Sequence, residues 1–121
     1  MITVDLSQVE GRRYPARRRT KNIVGGASPI QAKNFCIGNV VLDPRGGQVP
    51  WHNQEQEEVY ILLEGEAEMC LGAERRVLTA GQAVYIPPGA VQWIENTGAT
   101  PLIFLCIVDP AWRAEDEEVL E

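Results

Sequence analysis

Histidine is almost missing from this chain of 121 residues, with His52 the only one. A metal or proton-transfer centre built on several imidazoles of one chain is thereby excluded. Cysteine is sparse as well, and Cys36, Cys70 and Cys106 have no CxxC spacing, which argues against a zinc ribbon or a vicinal redox pair. Each cysteine sits within an apolar run, as small buried side chains do in a reducing compartment. No run reaches the roughly 18 uncharged apolar residues of a spanning helix. The opening MITVDLSQVEG also lacks the basic and then apolar order of a signal peptide. A soluble cytoplasmic protein with no membrane partner is expected. Basic residues are outnumbered 11 to 17, giving a net charge of −6 and a pI near 4.8, so nucleic acid is not an expected partner.

What is present suits one compact all-β domain. With 45% hydrophobic residues, a chain of this length buries roughly two thirds of its unfolded surface and leaves no room for a second domain. The chain is organised around residues 46–65, GGQVPWHNQEQEEVYILLEG, in which a glycine turn leads through polar residues into an apolar strand. Strand parity puts His52 and Gln54 on one face and Trp51 and Asn53 on the other. Glu58, Tyr60 and Leu62 share a parity in the same way. An imidazole, an amide and a carboxylate at the mouth of an apolar strand can form a site, or can simply be a polar turn before a strand.

Turn residues recur every 8 to 12 positions along the rest of the chain, separating eight or nine short strands, with no convincing helix before residue 110. Residues 1–34 read as an amino-terminal arm with one short strand at 20–24. Its run RRYPARRR, residues 12–19, concentrates five of the eleven basic residues. This run is expected to be solvated, or else to meet an anionic ligand or the acidic tail of another subunit. Residues 35–110 read as the barrel, and 111–121 as an acidic tail, either helical or frayed, anchored only by Trp112. The opposite charges of the two ends suggest that they meet, within a subunit or between subunits. PLIFLCIV, residues 101–108, is apolar at both parities, as for a strand covered on both faces. The central strand is similar, and a homodimer is expected on that ground.

The spacing Gly46, His52, Gln54, Glu58, Gly65 resembles the first motif of the cupin superfamily, and Gly81, Pro87, Gly89, Gln92, Asn96 resembles the second. The resemblance covers about a third of the chain and implies a cupin-type jelly-roll β-barrel, usually dimeric, with its site inside the barrel. In cupins the corresponding positions hold one divalent metal, which by position implies His52, Gln54, Glu58 and Gln92. Two positions that carry histidine in the family carry glutamine here.

An amide oxygen is a harder and weaker donor than imidazole, so this set suits manganese, magnesium or calcium better than copper. Manganese, iron, nickel and zinc all remain candidates, as does no metal at all. A metal-assisted isomerase or lyase acting on a small carboxylate- or sugar-like ligand is one reading, with Glu58 or His52 moving a proton and Tyr60 donating to an oxyanion. The alternative is a metal-free, non-enzymatic binding barrel in which the amides and Glu58 bond one another and a small polar ligand. A single histidine makes an oxygenase the least favoured class. Tyr60 can equally be core packing, and the whole polar cluster a satisfied remnant. Asn39, Met69, Ile86 and Ile94 are expected to face inward and to shape the ligand's surroundings.

Overall fold

Residues 1–120 are described by a computed structural model, and they form eleven strands in two antiparallel sheets. The strands are β1 (Arg12–Tyr14), β2 (Arg18–Val24), β3 (Cys36–Leu42), β4 (Gln48–Gln54), β5 (Glu57–Glu64), β6 (Glu66–Leu71), β7 (Glu74–Thr79), β8 (Ala83–Ile86), β9 (Gln92–Asn96), β10 (Leu102–Asp109) and β11 (Glu117–Val119). One sheet has the order β1-β2-β3-β10-β5-β8, the other β11-β4-β9-β6-β7. The non-sequential order is the jelly-roll path expected from the sequence.

The two motifs are tied together at the barrel's closed end. Gly46 N donates to Asn96 O at 2.9 Å, and Asn96 N donates to Gly47 O at 2.8 Å. The Asn96 side chain, fully buried, donates to Leu42 O and Thr100 O and accepts from Gly98 N. Gly65, at φ +88°, separates β5 from β6, and a Cβ there would lie 2.8 Å from Pro101 O. Only glycine combines that dihedral with so close a backbone approach. Beneath the site, Leu42, Leu62, Leu102, Phe104, Met69, Ile86 and Ile94 form one apolar cluster. Full burial of each large side chain there contributes about 1.5–3 kcal/mol.

Several expectations are corrected. The strand count is eleven because the basic run forms a hairpin and the tail adds a strand: β1 pairs with β2, and β2 with β3 from Arg18–Leu42 onward, while Arg12, Arg13 and Arg17 of the run remain exposed as expected. The acidic tail is neither helix nor frayed end through residue 120; a 3-10 turn at Ala114–Asp116 leads into β11, which pairs with β4. Glu121 of that tail lies outside the described residues. The arm adds to one sheet and the tail to the other, and among the described residues no ion pair joins the two charged ends within the chain. Among the described residues, Arg113 pairs with Glu115 and Asp116 within the tail itself. On β10, Leu102, Phe104 and Val108 are buried inside, whereas Ile103, Leu105 and Ile107 on the outer face are half-buried.

Candidate functional site in the barrel

A cavity of about 890 Å³ opens between the two sheets. His52 and Gln54 reach it from β4, Glu58 and Tyr60 from β5, and Cys106 from β10, as alternation along each strand dictates. All of these except Cys106 are more than 95% buried. Gln92 sits opposite His52 across the β4–β9 ladder but lies behind Glu58 and Tyr60 rather than on the cavity wall. Three of the four residues expected around a metal therefore face the cavity, and the fourth supports them from behind. Met69, Ile86 and Ile94 do point inward, but into the apolar cluster beneath the cavity. Asn39 pairs with Lys21 and Leu105, whose parity is that of the outer face, so its expected inward direction is corrected.

A closed chain of hydrogen bonds joins β5 and β10 of one sheet to β9 of the other. Tyr60 Oη donates to Gln92 Oε1 at 2.9 Å, and Gln92 Nε2 donates to Glu58 Oε2 at 2.5 Å. The Cys106 thiol donates to Glu58 Oε1 at 3.3 Å. Burial pushes the Glu58 carboxyl above its ordinary value, against the opposing pull of the donors on Gln92 and Cys106 and the charge of His52. Burial, reinforced by Glu58, likewise holds the Tyr60 phenol and the Cys106 thiol well above their usual ranges. Tyr60 thus remains a neutral donor, and Cys106 a thiol.

The β4 wall is open. His52 Nδ1 lies 2.7 Å from Pro50 O, an acceptor only, so Nδ1 carries the hydrogen and Nε2 faces the cavity. Glu117 Oε1, brought in by β11, stands 3.8 Å from that Nε2. Gln56 helps to hold the tail there, its Nε2 donating to Asp116 Oδ2 at 2.6 Å. Gln54 Nε2 is sealed from water with no hydrogen-bond partner.

This donor set fits a divalent metal poorly. Glu58 already receives a donor on each oxygen, and the one ligating atom of Gln92 is engaged by Tyr60. Among the described residues no group of three or more His, Cys, Asp or Glu side chains is placed to hold an ion. Trp51 and Trp93 stack on each other at 6.0 Å between ring centroids, outside the cavity lining, as alternation with His52 and Gln92 predicts.

Arg12, Tyr14, Arg18 and Glu117 also line the cavity and are absent from the residues expected at the site. The period-2 order of RRY and RRR was the available signal, and the missing ingredient was the hairpin that turns alternate residues inward.

Residues 38–108 match the family described as cupin domain, and the chain belongs to that family. It is 39% identical over 79 residues to an uncharacterized protein of Methanocaldococcus jannaschii, a match covering 64% of this chain and 63% of that one. It is 28% identical over 87 residues to mannose-1-phosphate guanylyltransferase 2 of Escherichia coli O157:H7, covering 72% of this chain but 18% of the enzyme. Among solved structures, TT1209 of Thermus thermophilus superposes with a TM-score of 0.74 at 26% identity, covering 93% of this chain and all of that one. The structure of KdgF from a Halomonas species superposes with a TM-score of 0.78 at 16% identity, covering 95% of this chain and 96% of that one, which speaks to the fold alone. No helix among the described residues is long and apolar enough to cross a membrane.

Proposed function

We propose that this cupin binds a small polar molecule inside its barrel without a metal ion, as a binding module rather than a metal-assisted isomerase or lyase. The observation that carries this reading is the Tyr60–Gln92–Glu58–Cys106 chain, in which Glu58 and Gln92, two of the four expected metal ligands, are engaged by other groups of the protein. A preformed concave pocket with a few fixed polar groups suffices for binding. Here those groups are Gln54 Nε2, a donor in need of an acceptor, and His52 Nε2, an acceptor in its neutral form. Glu58 and Tyr60, the residues first considered for proton transfer and oxyanion support, serve in this reading as the fixed back wall.

The test is a thermal melt in excess chelator with small hydroxylated and carboxylated molecules, since a ligand that binds only the folded state stabilises it by mass action. At 100 times its Kd a ligand contributes about 2.7 kcal/mol, an easily read rise in melting temperature. A rise seen only after a divalent metal is added back would reject the proposal in favour of the metal-assisted one.

The same proposal includes a homodimer formed on the outer face of the six-stranded sheet. Val41, Ile61, Ile103, Leu105 and Ile107 lie there half-buried in a continuous apolar band. Light scattering is expected to return twice the 13.4 kDa chain mass, and a single-chain mass would remove the dimer.

A further inference from the structure

The amino-terminal hairpin adds a second, differently charged end to the cavity. Pairing of Arg12 with Thr20 and of Tyr14 with Arg18 puts these four side chains on one face, and all four line the cavity. Arg13 and Arg19, one residue out of step, pair with each other on the opposite face. The Arg12 and Arg18 guanidiniums stack on the Tyr14 ring, 5.1 and 4.6 Å from its centroid. Stacking restrains the planar groups while leaving their N–H edges available.

Those edges are underused. Arg18 Nε is sealed from water without a hydrogen-bond partner, as is Arg19 Nε on the opposite face, and among the described residues neither Arg12 nor Arg18 has a carboxylate partner although Glu10 also lines the cavity. This is notable in a chain with seventeen acidic and eleven basic residues. Stacking on Tyr14 accounts for the faces of the two guanidiniums but not for the unpaired donor. The far end of the cavity has the opposite character, with Glu58 and Glu117 near His52 and the donor Gln54 Nε2 lacking an acceptor. A second anionic group would be repelled there, whereas a neutral oxygen would satisfy Gln54.

Resting on the binding reading above, we propose that the ligand is an organic acid whose carboxylate or phosphate group is held by Arg18 with Arg12, and whose far end presents a hydroxyl or carbonyl oxygen to Gln54. The guanidinium fork matches either anion in a bidentate manner, so the two sources share one chemistry. Arg12 and Arg18 line the same cavity as Gln54, Glu58 and Tyr60, so the anion site and the polar back wall belong to one pocket.

The test pairs charged and neutral probes of matched shape in thermal melts and calorimetry with chelator present: para-hydroxybenzoate against para-hydroxybenzamide, gluconate against glucitol, and inorganic phosphate alone. The expected result is a higher melting temperature with the charged member of at least one pair, or with phosphate. Phosphate acting alone would assign the anion to a phosphate ester, an organic acid acting alone to a carboxylate. Arg18→Gln is expected to lower affinity for the charged probe at least tenfold and leave the neutral one unchanged, and Arg18→Lys to recover only part of it. The melting temperature of each variant without probe reports whether it has folded. Equal response to charged and neutral members would overturn the anion site while leaving the binding pocket standing. No response to any probe would overturn the anion site as well, and would count against the pocket itself.

Discussion

Tyr60 and Glu58 of β5, Cys106 of β10 and Gln92 of β9 partner one another across the two sheets, whereas elsewhere on the cavity lining Gln54 Nε2 and Arg18 Nε are sealed from water with no partner at all. Both regions are polar and deeply placed, and both come from strands whose alternation turns those residues inward. The difference lies in what each still needs. A closed hydrogen-bond network rigidifies the fold and asks nothing of a ligand. An unpaired buried donor costs about 1–3 kcal/mol until something supplies an acceptor. Burial and polarity alone therefore do not separate the two regions, and unmet hydrogen-bonding capacity at residues that line the cavity does; Arg19 Nε and Gln56 Oε1 are also sealed without a partner but lie outside that lining.

The contrast breaks most visibly by making the same change on each side. Gln92→Leu strands Glu58 Oε2 and the Tyr60 hydroxyl together, at about 1–3 kcal/mol apiece, and the urea midpoint is expected to fall sharply. Next in size is a pH effect. The folded state holds the Glu58 proton above the ordinary value of 4.5, so this group's contribution to stability is complete below that pH and is lost as pH rises through the raised folded value. Each unit of upward shift is worth about 1.4 kcal/mol. Glu58→Gln is expected to flatten the decline on the alkaline side of 4.5 while leaving the acidic side little changed, as denaturant midpoints across the range would register. The smallest effect falls on the open wall, where Gln54→Leu removes an unsatisfied amide and is expected to move stability by less than about 0.5 kcal/mol or to raise it slightly. A large loss in Gln54→Leu would mean that its amide is partnered after all, and the two walls would then be alike.

Much of the barrel was legible in the sequence because its signals are local. Glycine at 46, 65, 81 and 89 occupies positive φ, and the alternation of His52 with Gln54 and of Glu58 with Tyr60 carries straight into burial. Strands β1 and β11 were not legible. Each is three residues long at a sheet edge, and neither has an apolar pattern of its own to set it apart from a charged segment. Missing them concealed Arg12, Arg18 and Glu117. A bond between Gln92 and Glu58 was one of the alternatives legible in the sequence, but its direction was not, because spacing fixes where the side chain starts but not which atom of its amide faces Glu58.

The central claim is that hydrogen bonds among Tyr60, Gln92, Glu58 and Cys106 take the place of a metal in this cupin. Elemental mass spectrometry of protein purified without chelator, then soaked in manganese, iron, nickel and zinc and desalted, tests it most directly. The account predicts far less than one equivalent of any of them, unchanged in Gln92→Ala. Close to one equivalent in the native chain, lost in Gln92→Ala, would contradict it.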